Sequence, residues 1–591
     1  MSKEAEKKMT EQRLLFFDIE CDQLEAEVIH CIVTMDQNGD IRRYNHAKEG
    51  NLQQGLDALQ DAEMLIGHNI IGFDLAIIMK LYPGWFTEAR IRDTLVCSRL
   101  AWPHLRDLDY RRKDFPRPQI GAHSLRAWGL RLGFEKYDYG VDEEGKHVSE
   151  DWLAWTEEME NYCVRDVEVT HRLFRKFLEE GIPDQAVELE HEIHDICELM
   201  TERGFYFDRP AAEKLYARLL AERDQLEMEI REVFPPKIKE LKTKTKEIPF
   251  NPGSRLQIGE RFKEKGWSPK EFTPDGRPKI NESILADLVD TFPEAKPLSR
   301  FLLIQKRIGQ LAEGRNSWLG VCDKNNRIHG KAITCGGTIS HRMALHSPNL
   351  SQIPNTEAEF GKECRSLFCA PKGYKLVGTD LSSIELRILA HALAYWDDGR
   401  FAAEVESGDP HQATADQCGI SRSQGKMVNF ALIYGAGDQR LGESIGGDRK
   451  DGRALRRKFY DANPAFRKFL EYIQDKAVKE KRLIGLDGRP LYPRSTHSAV
   501  NLWIQNAAVT VAKRATVIHF FLMEVNGIRH GIDFTLATHC HDEWVVEVTQ
   551  DEAQLTSDLA LDAIRAAGET YNLAVELSGV SEVGRTWAEV H

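Results

Sequence analysis

The sequence lacks long apolar runs, internal repeats and low-complexity segments. No stretch reaches the roughly 20 apolar residues that a membrane helix requires, so we expect no membrane span. The first residues, MSKEAEKKMTEQR, are charged and contain no apolar core, which argues against a secretory signal. These absences favour a cytoplasmic protein.

Cysteine pairs at metal-binding spacing are also missing. The 11 cysteines are scattered without a CxxC motif, and the spacing of Cys364 and Cys369 fits neither a zinc ribbon nor a redox motif. We therefore expect reduced thiols that are buried as small apolar side chains.

The composition is that of a folded protein with several cores. The chain has 591 residues, of which 42% are hydrophobic, and a net charge of −14. At ~150 residues per domain the length suggests about four domains, or two to three larger units. A chain this acidic argues against nucleic-acid binding, for which a basic surface is the usual signature.

The basic residues, however, are concentrated in a few segments. Residues 231–270 hold 11 Lys and Arg against 5 Asp and Glu, and this region includes the lysine-rich run Lys237–Lys246. Lys296–Arg315 and Arg449–Lys458 are further basic segments. Because phosphate binding depends on charge within a Debye length of ~8–10 Å, the net charge does not exclude a nucleic-acid partner. The pattern predicts a basic cleft and an acidic surface elsewhere.

The hydrophobic patterns predict a mixed α/β fold, with strands first and long helices after them. Predicted strands are Leu14–Phe17 and Ile29–Val33, and predicted helices are Asp166–Glu179, Ala186–Met200 and Ala211–Val233. Pro235 and Pro236 end the last helix.

Carboxylates in the first third form a candidate metal site. Asp18 and Glu20 come directly after the first strand, and alternation places both on one face at its edge. Asp74 follows in HNIIGFDL, and Tyr162 and Asp166 lie one helical turn apart. Magnesium prefers oxygen ligands, and two such ions can cleave a phosphodiester. Singly, each residue is equally consistent with a helix cap or a surface charge.

As an ordered set, these residues resemble the proofreading 3′–5′ exonucleases, which carry four acidic residues and a tyrosine. The resemblance implies a ribonuclease-H-like fold. It also implies that Asp18, Glu20, Asp74 and Asp166 hold the metal ions and that Tyr162 orients the attacking water.

A second pair of acids lies in the C-terminal half. Tyr374–Asp380 reads as a strand that ends in an acid, and the spacing of Ile384–Leu393 predicts a helix after it. Asp542 and Glu543 separate two apolar runs, which predicts the tip of a β-hairpin. Together with Asp380 they form a second candidate two-metal site.

Between them, Ser421–Gly435 predicts a helix with one cationic and aromatic face. Arg422, Lys426 and Phe430 are spaced by four residues, and Tyr434 lies one turn further on. Two cations suit a triphosphate and the ring suits a sugar or base. A solvated basic face with a core aromatic is the alternative.

These three segments resemble motifs A, B and C of the family A DNA polymerases, in order. Four further segments resemble those of the replicative polymerases of short-tailed phages. They are FNPGSR, IQKRIGQLAEG, HSPNLSQIP and the terminal TWAEVH. The resemblance implies an exonuclease domain at 1–180 and a right-hand polymerase domain at 181–591. Within the latter it implies a thumb and the start of the palm at 181–330, palm at 331–400, fingers at 401–499 and palm at 500–591.

The resemblance also assigns the metal ligands of the polymerase site. Asp380, Asp542 and the carbonyl of Leu381 would hold two Mg²⁺ ions, for which Mn²⁺ can substitute. Glu385 matches the steric gate that excludes a ribonucleotide 2′-hydroxyl.

Other matches concern the nucleotide and the primer terminus. The resemblance implies that the nucleotide is bound by His411, Arg422, Lys426, Phe430 and Tyr434. Phe430 stands where some phage relatives carry tyrosine, which implies discrimination against dideoxynucleotides. The resemblance implies that Arg342, Gln505 and His541 bind DNA, although the segment GGTISHRM, which contains Arg342, departs from the usual Thr-Gly-Arg pattern.

The implied partners are primer-template DNA, deoxynucleoside triphosphates, and a phage helicase-primase and single-strand binding protein. We expect a monomer in the cytoplasm of a host bacterium. Only 83 residues separate Asp166 from Phe250, which leaves no room for a thioredoxin-binding thumb insertion. A strand at residue 14 also leaves no room for a 5′–3′ exonuclease domain before it. An exonuclease with an inert polymerase half, or a non-enzymatic replication scaffold, are the alternatives.

Overall fold

The structure is a computed structural model that describes residues 13–23, 25–142, 148–240 and 245–591. The charged N-terminal residues 1–12 and residues 241–244 of the lysine-rich run lie outside the described residues. The remaining chain is a mixed α/β protein, as the sequence predicted. Among the described residues, no helix is long and apolar enough to cross a membrane.

The first half contains these strands: β1 (Leu14–Cys21), β2 (Ile29–Asp36), β3 (Ile41–Asn45), β4 (Met64–Gly67), β5 (Arg90–Asp93), β6 (Phe205–Tyr206), β7 (Lys237–Glu240) and β8 (Thr245–Ile248). Its helices are α1 (Asn51–Gln60), α2 (Asp74–Leu81), α3 (Thr94–Ala101), α4 (Leu105–Asp109), α5 (Leu125–Leu132), α6 (Glu157–Glu179), α7 (Asp184–Arg203), α8 (Arg209–Val233), α9 (Arg255–Glu264) and α10 (Glu282–Leu288).

The second half contains these strands: β9 (Arg327–Ile328), β10 (Lys331–Ile333), β11 (Ala344–His346), β12 (Tyr374–Leu381), β13 (Leu483–Ile484), β14 (Pro490–Leu491), β15 (Phe534–Cys540), β16 (Glu543–Thr549) and β17 (Gly579–Gly584). Its helices are α11 (Ala295–Ile308), α12 (Trp318–Val321), α13 (Gly361–Ser366), α14 (Ile384–Asp397), α15 (Arg400–Ser407), α16 (Pro410–Cys418), α17 (Arg422–Ile433), α18 (Asp438–Glu443), α19 (Arg449–Ala462), α20 (Pro464–Glu480), α21 (Ala499–Val525) and α22 (Ala553–Thr570).

The N-terminal sheet has the order β3-β2-β1-β4-β5, with β1 in the centre. Phe16 and Phe17 of β1 enter separate apolar cores on opposite faces, as strand alternation requires. The prediction that Asp18 and Glu20 follow the strand was wrong, because β1 continues to Cys21. Pairing with β2 extends through both acids, whereas pairing with the parallel strand β4 ends at Phe16. Both carboxylates therefore lie just beyond the end of β4.

The three predicted long helices are present, and each is longer than expected. The helix predicted at Asp166–Glu179 begins at Glu157, where Thr156 caps it by accepting a hydrogen bond from Met159 N. Helix α8 ends at Val233, before the two prolines, as predicted. Beyond it a small separate core forms around aromatic side chains, namely Phe234, Phe250, Phe262 and Phe301.

The C-terminal sheet has the order β15-β16-β12-β17 and is antiparallel throughout. The predicted hairpin is confirmed, but its tip is His541 and Asp542, because Glu543 already belongs to β16. Helices α21 and α22 pack on each other, and α22 packs on β12 and β17. The helices α14 to α21 come between β12 and the hairpin in the chain. The sheet thus brings the end of β12 and the tip of the β15–β16 hairpin together, although they are distant in the sequence.

Candidate functional site

The first candidate site lies where β1 passes the end of β4. Oxygen atoms of Asp18 and Glu20 and the sulfur of Cys163 lie within 4.8 Å of one another. Asp74, the first residue of α2, accepts a hydrogen bond from Ile19 N at 3.1 Å. The thiol of Cys163 donates to Asp18 O at 3.4 Å. The structure therefore gathers three of the four predicted carboxylates around β1.

Helix α6 supplies the other two predicted residues on one face. The side chain of Lys136 bridges them: its Nζ donates to Tyr162 Oη at 2.9 Å and forms a close ion pair with Asp166. Sequence reasoning missed Lys136, because it lies in the loop after α5 and no spacing rule connects it to α6. The second oxygen of Asp166, Oδ1, is buried without a hydrogen-bond partner.

Burial dominates the electrostatics of this site. It raises the pKa of Asp74 to about 7 and the pKa of Tyr162 to about 12. Burial, followed by repulsion from neighbouring carboxylates, raises the pKa values of Asp18 and Glu20 well above the usual range. The crowded acids, one with an unpartnered oxygen, supply oxygen donors of the kind that hard divalent cations prefer. The residues present therefore suit a metal ion.

A cavity of about 1760 Å³ opens from these carboxylates. Its wall includes residues 336–338 and Arg494 from the second half of the chain, so both halves shape it. The remaining wall carries four arginines, Arg99, Arg106, Arg112 and Arg117, against the two acids Asp109 and Asp114. An acidic end with a cationic approach suits a polyanion whose reacting phosphate reaches bound cations.

The second candidate site lies at the end of β12. Asp380 pairs in register with Glu543, and Leu381 N donates to Asp542 O at 3.2 Å, which holds the hairpin tip beside the strand. Partial burial and then Asp542 and Glu543 raise the pKa of Asp380 to about 7. Burial also raises the pKa of Asp542. Two such carboxylates at one strand end again fit divalent cations.

Residues at the C-terminus complete this site, and sequence reasoning missed their role. Trp587 Nε1 donates to Glu543 Oε1 at 2.7 Å, and His591 Nδ1 lies 2.9 Å from Glu543 Oε2. The buried guanidinium of Arg365 lies 3.7 Å from Glu543 and stacks over the Trp587 ring at 4.4 Å. Glu543 is therefore fixed by three side chains while Asp380 and Asp542 stay open to ligands.

Glu385, on the first turn of α14, connects motif A with two other segments. It accepts hydrogen bonds from Arg342 Nη2 at 2.7 Å and from Tyr434 Oη at 2.7 Å. Burial and the carboxylate raise the pKa of Tyr434 to about 12. Two predicted residues that are distant in sequence, Arg342 and Tyr434, thus share the buried carboxylate of a third, Glu385.

Helix α17 presents the predicted face, and Gly435 ends it with φ of 67°. The Phe430 ring lies 5.9 Å from His411 and 6.2 Å from Tyr434. Lys426 is exposed on the same side, and Arg422 forms a close ion pair with Asp409, a residue that the sequence did not single out. A bound anion would have to compete with Asp409 for the Arg422 guanidinium.

The remaining predicted residues lie on the C-terminal elements. Gln505 is half-buried on α21. His541 occupies the hairpin tip with φ of 64°, a left-handed conformation, and its pKa is lowered by burial and by Arg342. The structure thus places His541 next to Asp542 and close to Arg342, whereas Gln505 has no hydrogen bond or ion pair in the described structure.

Comparison with known proteins identifies the family. The model of DNA polymerase family A matches residues 221–589, more than half of the chain. The chain belongs to the family A DNA polymerases. The DNA-directed DNA polymerases of Enterobacteria phage T3 and Escherichia phage T7 are each 29% identical to it, over 98% of this chain and 100% of theirs. DNA polymerase I of Pseudomonas aeruginosa is 30% identical over 58% of this chain and 39% of its own length.

A solved structure shares the fold over its whole length. It is the polymerase domain of Pol1 from M. smegmatis in complex with a DNA primer-template and dNTP. The TM-score is 0.76 at 18% identity, with 100% of this chain and 99% of that chain covered. This likeness supports the mixed α/β polymerase fold that the sequence predicted.

Proposed function

We propose that this family A polymerase extends primers on a DNA template and also removes mispaired 3′ ends, in the replication of a phage genome. The observation that carries the proposal is the presence of two separate carboxylate sites on two sheets. One is built from Asp380 and Asp542, and the other from the acids around β1. The similarity to the T3 and T7 polymerases over nearly the whole chain supports the replicative role.

In the polymerase reaction, the side chains of Asp380 and Asp542 and the carbonyl of Leu381 would hold two Mg²⁺ ions. When bound, these ions lower the pKa of the primer 3′-hydroxyl and neutralise the leaving pyrophosphate. Register with Glu543 keeps the first aspartate at the strand end, and the hairpin turn presents the second beside it. Positioning and charge neutralisation then supply most of the catalysis.

Nucleotide selection is assigned to α17 and Glu385. Arg422 and Lys426 would bind the triphosphate, assisted by His411, and Phe430 would lie against the sugar. Tyr434 would lie near the template base and leave that place when the fingers close. Before it leaves, its hydroxyl donates to Glu385, which Arg342 also holds, and to this carboxylate we assign the steric exclusion of a ribonucleotide 2′-hydroxyl.

Contacts with the primer terminus are assigned to three residues. Arg342, Gln505 and His541 would read the minor-groove edge, where every correct pair presents common acceptors. His541 and Arg342 lie beside Asp542 and Glu385, which is consistent with a terminus at this site. Reading shared acceptors would test pair geometry without testing sequence.

For proofreading, we assign metal binding to Asp18, Glu20, Asp74 and Asp166 and water orientation to Tyr162. The cationic cavity would lead the frayed primer strand to these acids. We assign the exonuclease domain to residues 1–180 and the polymerase domain to 181–591, with thumb, palm and fingers divided as the resemblance implies. The β7–β8 pair, which carries part of the lysine-rich run, would grip the duplex backbone.

Thioredoxin is not expected to act as a clamp, and the protein is expected to work as a monomer with the phage helicase-primase and single-strand binding protein. The alignments with the T3 and T7 polymerases span 705 and 708 positions, more than the 591 residues of this chain, so those relatives contain stretches without a counterpart here. Added thioredoxin should leave product length unchanged; a large increase would contradict this expectation.

Primer extension with Mg²⁺ and four deoxynucleotides tests both activities. Asp380→Ala should abolish synthesis and keep degradation of a mispaired primer, whereas Asp18→Ala should do the reverse. Circular dichroism of each variant controls for folding. Loss of both activities in either folded variant would contradict two independent sites.

A further inference from the structure

A lysine side chain lies among the carboxylates of the N-terminal site. Among the described residues, Lys136 is the one cationic side chain in contact with Asp18, Glu20, Asp74 or Asp166. Its Nζ contacts Asp166 and Tyr162 and lies 4.4 Å from the centre of the Tyr162 ring. The ammonium therefore occupies one side of a site that otherwise consists of acids.

The loop that carries Lys136 is firmly anchored on both sides of it. Phe134 N donates to Gly129 O at 2.9 Å, and a Cβ on Gly129 would lie 2.8 Å from Phe134 O, so the loop lies directly on α5. Arg165 of α6 stacks between two aromatic rings of the loop, 4.0 Å from Phe134 and 4.3 Å from Tyr137. These contacts fix the backbone and direct the ammonium towards α6.

At Asp166 the two carboxylate oxygens differ. Oδ2 faces Lys136, and Oδ1 is buried without a hydrogen-bond partner. A cation that binds Oδ1 would lie within a few Å of a positively charged nitrogen and be repelled by it. For a metal ion to bind Asp166 as well, the Lys136 ammonium must therefore move away from Asp166. Its hydrogen bond to Tyr162 can persist.

We propose that Lys136 is a positioning residue of the proofreading site that stands in for a cation: it holds Asp166 and Tyr162 in place before metal binds, and it weakens metal binding at Asp166. The inference rests on the proposed exonuclease function. Arg342 and His541 lie near Asp542, but among the described residues no lysine or arginine forms an ion pair with Asp380 or Asp542, in contrast to the pair of Lys136 with Asp166. The exonuclease site should therefore need more metal than the polymerase site. Synthesis would then precede degradation as metal concentration rises.

The test measures Mn²⁺ binding calorimetrically in full-length protein that carries Asp380→Ala, which removes the polymerase metal site. Adding Lys136→Met should tighten Mn²⁺ binding at least about tenfold, because one unit charge a few Å from the ion is removed. Lys136→Gln, which keeps a donor for Tyr162 but no charge, should do the same. The matched control Lys48→Met removes an exposed charge of the same half and should leave binding unchanged.

Thermal unfolding supplies a second readout. Without metal, Lys136→Met should lower the melting temperature more than Lys48→Met does, because the buried acids lose their counter-charge, and Mn²⁺ should restore most of the loss. Unchanged or weaker Mn²⁺ affinity in both Lys136 variants would overturn the inference. A separate outcome concerns the metal site itself. If adding Asp18→Ala to the Asp380→Ala protein leaves its Mn²⁺ binding unchanged, the N-terminal acids hold no metal, and the proposed exonuclease function fails.

Discussion

Tyr434, at the end of α17, donates its hydroxyl to Glu385 on α14 at 2.7 Å. Arg342 holds the other carboxylate oxygen at the same distance. A buried carboxylate with two donors is fixed in position, and a fixed group can exclude a neighbouring hydroxyl by sterics. This contact connects α17 to the strand-helix junction that carries Asp380.

Glu385→Ala should therefore admit ribonucleotides. Relative to deoxynucleotides, their kcat/KM should rise at least about 10- to 200-fold, the range that a single methylene group contributes to pocket discrimination. Single-nucleotide insertion kinetics with both sugars measure this ratio. Tyr434→Phe is the control, because Arg342 still holds Glu385 in that variant and the ratio should change less. A ratio within twofold of the parent in Glu385→Ala would exclude the gate.

Phe430 offers a second test of nucleotide selection. Its ring lies between His411 and Tyr434 and carries no hydrogen-bonding group. Phe430→Tyr should raise dideoxynucleotide incorporation about tenfold, since a hydroxyl that replaces the missing 3′-hydroxyl contact contributes about 1.4 kcal/mol. Chain-terminator ratios in primer extension measure the effect, and deoxynucleotide insertion serves as the internal control. An unchanged ratio would show that the ring does not face the sugar.

Local periodicity made several parts of the structure predictable. Arg422, Lys426 and Phe430 share a face because helical spacing alone determines it, and Tyr162 and Asp166 do so for the same reason. The β15–β16 hairpin was predictable because two apolar runs are separated by a short polar turn.

Long-range packing produced what the sequence did not predict. Acids disfavour strands locally, but pairing with β2 carries β1 through Asp18 and Glu20. Lys136, Arg365 and His591 reach their carboxylates from loops and helix ends, for which no sequence period exists.

The raised pKa of Asp74 predicts a pH-dependent stability. Below pH ~4 it is protonated in folded and unfolded chains alike, whereas between pH ~4 and 7 only the unfolded chain ionises, so metal-free protein loses stability as pH rises. Asp74→Asn should remove this loss and gain up to roughly 4 kcal/mol over the parent by pH 7. Urea unfolding in EDTA measures it. In the exposed control Asp61→Asn, the free energy of unfolding should depend on pH as it does in the parent. If the curves of unfolding free energy against pH for Asp74→Asn and the parent run parallel, the prediction is contradicted.

A group of fully buried charges ties α7 to α21 and the β13–β14 hairpin. Glu190 Oε1 lies 2.5 Å from Arg489 Nη1 and 2.8 Å from Lys513 Nζ. Asp487 pairs with Arg489 at 2.6 Å, and Lys513 also donates to His341 O at 3.1 Å. His341 directly precedes Arg342 in the chain, and Arg342 donates to Glu385. The network therefore supports the segment that holds the Glu385 carboxylate.

Removing the central acid should therefore be costly. Glu190→Gln leaves Arg489 and Lys513 with a single carboxylate between them in a site without water access, and it should destabilise the protein by roughly 3–5 kcal/mol. Glu192→Gln, two residues along α7, breaks the partly exposed pair with Arg514 and should cost at most about 1 kcal/mol. Chemical denaturation of both variants measures the difference. Because the two substitutions are chemically identical, equal losses would show that burial does not set the strength of this network.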